Sequence, residues 1–228
     1  PIGERVRRKE TQRFITGTGR YVDDLLPPGT LQVAFARSSC AHAKIKSIDV
    51  EAARAMPGVH AVFTGKDIEQ HVKPLRVGGS SVLRPVKLYP LAVDKIRYFG
   101  EPLAVVVADN RYLAEDAAEM ISVDYDLLPV VIDPEAAMER GAQPVHEDAG
   151  SNIVYKYHFA TDGIDKVFQD ADIVIKERIR SHRITACPIE PRAYLASYNK
   201  EEDSLTMWSA TANPHSLRGR IADILSFP

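Results

Sequence analysis

The polar residues with the clearest chemical potential lie in a loop bracketed by two prolines, Pro188-Ile-Glu-Pro-Arg192. Proline fixes its own backbone dihedral, so Glu190 and Arg192 are expected to be held stiffly, as a ligand-facing loop requires. The simpler alternative is that Glu190 and Arg192 pair with each other or cap neighbouring backbone groups. From the spacing alone, this simpler alternative is favoured.

A second loop of interest is Trp208-Ser-Ala-Thr-Ala-Asn-Pro-His215, where a predicted strand ends and a predicted helix begins. The free backbone N–H groups at the start of a helix suit an anion or a polar cofactor group. Most such positions are only capped, so the loop is a candidate rather than an assigned site.

The remaining candidates are isolated residues. Cys40 and His42 are spaced as a metal-binding pair, but a zinc site needs three or four ligands. A buried cysteine beside a hydrogen-bonded histidine is therefore the preferred interpretation. His182, Arg183 and His215 have no carboxylate or nucleophile at a telling distance. The sequence also lacks a phosphate-binding glycine motif, H-E-x-x-H and C-x-x-C, so it predicts no autonomous catalytic or metal site.

Composition excludes several classes of partner. The net charge is −2, with acids and bases interspersed, which predicts no nucleic-acid partner and no binding to an anionic membrane. No apolar run approaches the roughly 20 residues that a membrane helix needs. Two distant cysteines indicate a reducing compartment, and no signal peptide opens the sequence, so the cytoplasm is expected.

The elements that must position these loops are predicted from apolar spacing. The organising stretch, Tyr98–Asp133, reads as strand, helix and strand. Its unbroken apolar run Leu103–Ala108 is typical of a strand covered on both faces. Asp109 or Asn110 is expected to cap the following helix. The last segment, Ser122–Tyr125, predicts an edge strand because one side of it is too polar to be buried.

Further elements are predicted on both sides of this stretch. In the first half these are strands at 31–37, 43–49 and 59–64, helices at 50–56 and 65–68, and a long loop at 69–94. In the second half they are strands at 155–161 and 172–180, a hairpin of 193–198 with 204–210, and a helix at 214–225 whose inward residues are Leu217, Ile221, Ile224 and Leu225. Such a second half is a poor core, and it is expected to need more chain or another subunit.

Several segments together resemble one family. They are Thr16–Asp24, Phe35–Asp49, Pro57–Val59 with Thr64-Gly65, Gly100-Glu-Pro102 through Asp124-Tyr125 with Leu128-Pro129, Pro188–Arg192, and Trp208 with Pro214-His215. These segments occur in the order seen in the large, molybdenum-binding subunit of the molybdenum hydroxylases. That family includes carbon monoxide dehydrogenase, aldehyde oxidase and xanthine dehydrogenase types, and the resemblance covers nearly the whole chain.

The resemblance implies an α+β fold in four parts. Residues 1–20 would form an extended N-terminal arm and residues 21–140 the family's a/b hammerhead domain. Residues 141–152 would be a linker. Residues 153–228 would be the incomplete beginning of a molybdopterin-binding α+β domain.

The resemblance also implies a site and its cofactors. The family's glycine-rich cofactor loop and catalytic glutamate would lie downstream of Pro228, so no catalytic or metal-ligating residue is expected here. Glu190, Thr211, Ala212 and Asn213 would lie next to the cofactor. Many members of the family have a glutamine at the position of Ala212, where it bonds an oxo group on molybdenum, and a methyl group cannot donate that bond.

The implied cofactor is molybdopterin, often as a dinucleotide, with the cytosine form as one candidate. Iron–sulfur clusters and FAD would be carried by partner subunits, and the chain alone is expected to bind none of these groups. Its expected partners are the rest of the molybdenum-binding subunit, an iron–sulfur subunit and an FAD subunit.

Two functions from different classes follow. The first is the N-terminal part of a catalytic subunit that oxidises an aldehyde, carbon monoxide or an N-heterocycle with water as the oxygen source. The second is a non-catalytic assembly or scaffolding module, which Ala212 favours and the retained Pro188–Arg192 loop disfavours. An unrelated α+β binding domain is a third and weaker alternative. The sequence does not identify the substrate.

Overall fold

The computed structural model describes residues 2–76 and 86–227. Its helices are α1 (Thr11–Ile15), α2 (Glu51–Arg54), α3 (Gly65–Ile68), α4 (Arg111–Glu119), α5 (Ile164–Gln169) and α6 (Pro214–Leu225). Its strands are β1 (Gln32–Arg37), β2 (Ala43–Asp49), β3 (Val59–Thr64), β4 (Leu75–Arg76), β5 (Lys87–Leu88), β6 (Lys95–Ile96), β7 (Pro102–Ala108), β8 (Ser122–Leu127), β9 (Tyr194–Asn199) and β10 (Ser204–Ser209). Short 3₁₀ turns cover Val22–Asp24, Ala136–Met138 and Glu147–Ala149.

The chain divides into two compact units. One contains Leu31–Lys176 and His215–Pro228, and the other contains Pro1–Thr30 and Glu177–Pro214. Each unit is therefore assembled from segments that are distant in sequence. The boundaries at residues 20, 140 and 152 stay predictions.

The first sheet has the strand order β1-β7-β3, with both pairs antiparallel. The apolar run of β7 occupies the centre, as its composition predicts. Asn110 caps helix α4: its Oδ1 accepts a hydrogen bond from the N–H of Leu113 at 3.0 Å, so the predicted cap is confirmed. Ala117 of this helix packs in a core cluster with Val62 and Val106. One face of the sheet is therefore buried.

The opposite face of this sheet is apolar and partly open; we call Val33, Phe35, Phe63, Val105 and Val107 the outer sheet face. Phe35 and Phe63 lie opposite Val105 on its two sides, and Val33 lies opposite Val107. Phe35 is 45% exposed and Phe63 is 44% exposed. The prediction that strand β7 is covered on both faces is therefore wrong for this side, because no element of the described chain shields the flanking aromatic residues.

The second sheet has the order β6-β2-β8. Ala43 of the central strand lies opposite Ile96 on one side and Leu127 on the other. Strand β8 is at the edge of this sheet, as predicted from its polarity. The strands before and after helix α4 thus belong to different sheets, which the strand–helix–strand pattern does not reveal.

Residues 141–152, the predicted linker, are bonded to the second sheet. The Nζ of Lys95, on β6, donates to Oε1 of Glu147 at 2.5 Å and to the carbonyl oxygen of Val145 at 3.2 Å. The side-chain amide of Asn152 donates to the carbonyl oxygen of Ala137 at 3.1 Å. This segment is consequently a packed part of its unit.

In the other unit, the N-terminal arm is not extended throughout, contrary to expectation. It contains helix α1, after which Tyr21 stacks on Phe14 with ring centroids 5.9 Å apart. A side chain at Gly19 would put its Cβ 2.5 Å from the Phe14 ring, so glycine permits this close approach. The local stacking of the two rings explains why the arm folds back.

The predicted hairpin is confirmed: β9 and β10 pair antiparallel, with Tyr194 opposite Ser209 and Asn199 opposite Ser204. Helix α6 is also confirmed. Of its four predicted inward residues, Leu217, Ile221 and Ile224 are half-buried, but Leu225 is exposed.

Two predicted strands are absent from the described chain. Residues 172–180 have no regular secondary structure, and residues 155–161 form only an isolated bridge at Tyr155. Their alternating pattern is that of a strand, but no neighbouring strand pairs with it, and Ile179 is 91% exposed. Helix α5 was not predicted; its apolar residues Ile164, Val167 and Phe168 are likewise exposed.

Candidate functional site

Glu190 is engaged in a tertiary hydrogen bond. Its Oε1 accepts from the backbone N–H of Val22 at 3.1 Å, across 168 residues of sequence. Val22 opens a 3₁₀ turn, so its N–H has no partner within that turn. Of the two simple alternatives predicted for Glu190, backbone capping is therefore the observed one. Within the described residues, no ion pair joins Glu190 to Arg192, which is exposed.

The two predicted loops lie at the same end of the hairpin. Because Tyr194 at the start of β9 faces Ser209 at the end of β10, the chain before β9 and the chain after β10 leave the hairpin together. Pro188–Arg192 precedes β9, and Thr211–Asn213 follows β10. The structure thus brings Glu190 and the second loop to one end of a single element.

Residues 211–213 are open to solvent. Thr211, Ala212 and Asn213 are all exposed, and Oγ1 of Thr211 accepts from the N–H of Asn213 at 3.2 Å. Ser209 precedes them at the end of the strand, and its Oγ is buried without a hydrogen-bond partner in the described chain. Ala212 supplies a methyl group at the centre of the loop.

These residues do not form a complete cradle for molybdopterin. The carboxylate of Glu190 is already bonded to Val22, the loop is exposed, and Ala212 has no side-chain donor. Over residues 2–76 and 86–227, no group of three or more histidine, cysteine, aspartate or glutamate side chains is arranged to hold a metal ion. In the part of the chain that the structure describes, the hydroxyl of Ser209 is a buried polar group without a partner at this end of the hairpin.

The surroundings of Cys40 and His42 indicate structural roles for both residues and not metal binding. His42 is buried, and its Nδ1 lies 2.5 Å from the carbonyl oxygen of Pro129, an acceptor that requires the proton on Nδ1. Burial raises the pKa of the Cys40 thiol, which disfavours the thiolate that binds metals. The preferred interpretation of a hydrogen-bonded histidine is confirmed, although Cys40 is only half-buried. His182, Arg183 and His215 are exposed.

Sequence reasoning missed a charged cluster around Lys95. Beside it lies a cleft of about 470 Å³, lined among others by Arg97, Glu101 and Glu147. Glu101 is buried and accepts from the backbone N–H of Arg97 at 2.5 Å; burial raises the pKa of its carboxyl group. No sequence signal marks Lys95, because its partners Val145 and Glu147 lie 50 and 52 residues away. The residues of this cluster bond mainly to one another, which indicates a structural role.

Comparison with known proteins places this arrangement in a family. Residues 16–129 match the sequence model of the aldehyde oxidase and xanthine dehydrogenase a/b hammerhead domain. Residues 145–228 match that of the molybdopterin cofactor-binding domain. The chain belongs to the aldehyde oxidase and xanthine dehydrogenase family. The predicted fold class, a hammerhead domain followed by the start of a molybdopterin-binding domain, is confirmed.

Its relatives are large subunits of molybdenum hydroxylases. The nicotine 6-hydroxylase large subunit of Paenarthrobacter nicotinovorans is 36% identical in an alignment of 231 positions that covers 99% of this chain and 28% of that protein. The carbon monoxide dehydrogenase large chain of Afipia carboxidovorans is 38% identical in an alignment of 240 positions that covers 100% of this chain and 29% of that protein. The chain thus spans less than a third of these relatives.

A solved structure agrees with this relationship. Quinoline 2-oxidoreductase from Pseudomonas putida 86 superposes with a TM-score of 0.89 at 37% identity, covering 100% of this chain and 29% of that one. No helix in the described part of the chain is long and apolar enough to cross a membrane.

Proposed function

We propose that the chain is the N-terminal part of the catalytic subunit of a molybdenum-dependent hydroxylase or dehydrogenase. The reaction class is oxidation of an aldehyde, carbon monoxide or an N-heterocycle, with water as the source of oxygen. Relatives that align along the whole chain support this proposal. The chain supplies no catalytic residue itself and is inactive alone.

One observation carries the proposal. The stretch matched by the molybdopterin cofactor-binding domain exposes a long series of large apolar side chains: Tyr157, Phe159, Ile173, Ile175, Ile179, Ile184 and Ile189. Soluble monomers seldom expose apolar surface on this scale unless it contacts a partner. We propose that the partner is the remainder of a molybdenum-binding subunit, which would cover these apolar side chains and complete the domain.

The domain match supports molybdopterin. We propose that the cofactor is the cytosine dinucleotide form, and that partner subunits carry iron–sulfur clusters and FAD. Glu190, Thr211, Ala212 and Asn213 are the residues proposed to lie next to the cofactor, and the chain by itself binds none. The two free cysteines, Cys40 and Cys187, support a cytoplasmic location.

An alternative is a non-catalytic assembly module of the same family. Ala212, an exposed methyl group in the loop proposed to face the cofactor, favours this alternative. It predicts the same partners but no molybdenum chemistry.

Metal analysis of the purified complex tests the proposal. The chain is produced alone and together with its molybdenum, iron–sulfur and FAD partner subunits, and each preparation is assayed for molybdenum by mass spectrometry. An aldehyde, carbon monoxide and an N-heterocycle serve as substrates. We expect stoichiometric molybdenum and turnover in the complex, and neither in the chain alone. A stable complex that lacks molybdenum would establish the assembly module instead.

A further inference from the structure

The hydrogen bond between Glu190 and Val22 connects the Pro188–Arg192 loop to the N-terminal 3₁₀ turn, and it indicates a positioning role for Glu190. Glu190 lies four residues before β9 and is half-buried, although its neighbours Ile189 and Pro191 are exposed. Its side chain thus points away from the solvent that surrounds the loop, and toward the N-terminal segment. The donor it meets is a backbone group with no partner of its own in the 3₁₀ turn.

The segment that Glu190 holds is itself ordered. The N–H of Tyr21 donates to Oδ2 of Asp24 at 2.8 Å, which closes the turn, and the Tyr21 ring stacks on Phe14. A hydrogen bond that fixes Val22 therefore also fixes the 3₁₀ turn and the stacked rings of Tyr21 and Phe14. The turn also packs against strand β9.

The loop that carries Glu190 is stiff. Pro188 and Pro191 restrict the backbone on both sides, and β9 begins shortly afterwards at Tyr194. Because Tyr194 pairs with Ser209, the position of this loop is coupled to the end of β10, after which Thr211–Asn213 follow. A bond from Glu190 to Val22 consequently places the N-terminal turn at the hairpin end that carries Thr211–Asn213.

We infer that Glu190 is a positioning residue: its acceptor oxygen fixes Val22 at this end of the hairpin, and its negative charge is not used to hold a cofactor. The hydrogen bond needs an acceptor at the position of Oε1. A glutamine presents a carbonyl oxygen at the same place. The hydrogen bond therefore requires a side chain of this length with an acceptor oxygen, but it does not require a negative charge. The inference is independent of the proposed function, since its direct readout requires neither molybdenum nor turnover.

Hydrogen exchange at the Val22 amide tests the inference in the complete complex. In Glu190→Ala, we expect this amide to exchange about fivefold faster or more, because a typical net hydrogen bond is lost. In Glu190→Gln, its exchange should stay near the wild-type rate. The matched control is Glu201→Ala, which removes an exposed carboxylate in the turn at the other end of the hairpin. This variant should leave exchange at the Val22 amide at the wild-type rate.

Two results in this series would overturn the inference. One is unchanged Val22 exchange in Glu190→Ala; the other is equally fast exchange in the alanine and glutamine variants. Molybdenum content adds a third criterion. If Glu190→Gln loses molybdenum while Val22 stays protected, the carboxylate contacts the cofactor directly. A wild-type complex without molybdenum would count against the proposed function only, because the exchange result stands by itself.

A second pair of variants covers the case in which Glu190→Ala fails to fold. Val22→Pro removes the donor, and proline suits the first position of a turn whose preceding residue, Tyr21, is already extended (φ −106°, ψ 168°). Val22→Ala keeps the donor and removes part of the same side chain. We expect faster exchange at the Asp24 amide in the proline variant than in the alanine variant; equal rates would contradict the inference.

Discussion

At the scale of single residues, the most demanding feature is the buried amine of Lys95. Its side chain is 3% exposed, while that of its partner Glu147 is 56% exposed. A buried ammonium group is tolerated only when its donors are satisfied, and here a carboxylate and the Val145 carbonyl oxygen accept from it. The pair therefore anchors residues 145–147 to strand β6.

Lys95→Met should destabilise the chain by about 1–3 kcal/mol, because it removes both hydrogen bonds and leaves the Val145 carbonyl group without its donor. The free energy of unfolding in urea measures this loss. Lys46→Met is the matched control: Lys46 pairs with Asp126 at 2.7 Å, but its side chain is 47% exposed, so its loss should be much smaller. Equal losses would show that burial of Lys95 has no energetic importance.

The same pair makes stability depend on pH. The hydrogen bond from Lys95 lowers the pKa of Glu147 in the folded chain below its ordinary value. A carboxyl group with a lowered folded-state pKa stabilises the fold above its unfolded pKa, and this contribution is lost as the pH falls through the folded value. The stability advantage of the wild type over Glu147→Gln should thus be full at neutral pH and shrink below about pH 4.5. Urea denaturation across this range would contradict the prediction if the difference stayed constant.

The residues of the candidate site were predictable from sequence only in part. The proline-bracketed loop marks Glu190 as constrained, but nothing in the local pattern identifies Val22 as its partner, because the two residues are 168 positions apart. Lys95 is harder still, since an alternating strand with a lysine normally places it in solvent. Its burial depends on Glu147 arriving from another segment. Tertiary pairing of this kind is invisible to spacing rules.

At the scale of elements, two glycines should respond oppositely to the same substitution. A Cβ at Gly65, the first residue of helix α3, would lie 2.1 Å from the backbone oxygen of Ala92. Backbone cannot move aside cheaply, so Gly65→Ala should destabilise the chain by about 1–3 kcal/mol. Gly219 lies within helix α6 with open space around it, so Gly219→Ala should stabilise the chain by up to about 1 kcal/mol.

Thermal unfolding of the two alanine variants checks this pair. The Gly65 variant should unfold at a lower temperature than the wild type and the Gly219 variant at a higher one. A higher unfolding temperature in both variants would mean that general helix propensity, and not the contact with Ala92, decides the outcome at Gly65.

Elements were predictable where local pattern and tertiary environment agree. The apolar run of β7, the predicted cap at Asn110 and the predicted β9–β10 hairpin each correspond to an observed element. Residues 172–180 have an equally strong alternating pattern but form no strand, because a strand also needs a neighbour for its backbone. Pattern alone likewise did not separate β7 and β8 into different sheets.

At the scale of the whole molecule, two regions expose large apolar side chains to solvent. The outer sheet face presents Phe35 and Phe63, and the stretch beyond residue 155 presents a series of isoleucines. Neither region contributes to the two buried core clusters, which lie in the unit of Leu31–Lys176 and His215–Pro228. Their side chains can therefore be changed at little cost to the isolated chain, while any assembly that buries them should be sensitive to such changes.

The pair Ile179→Asp and Ile184→Asp tests this separation. These residues are 91% and 93% exposed, so the double variant should unfold at the wild-type temperature when the chain is isolated. Copurification with the remainder of the proposed subunit should be lost, because two carboxylates would enter an apolar contact without partners. Ser181→Asp adds the same group at an exposed polar position between them and should copurify normally. If the double variant also copurifies normally, these isoleucines are not part of the interface, and the apolar surface of the second half does not account for assembly.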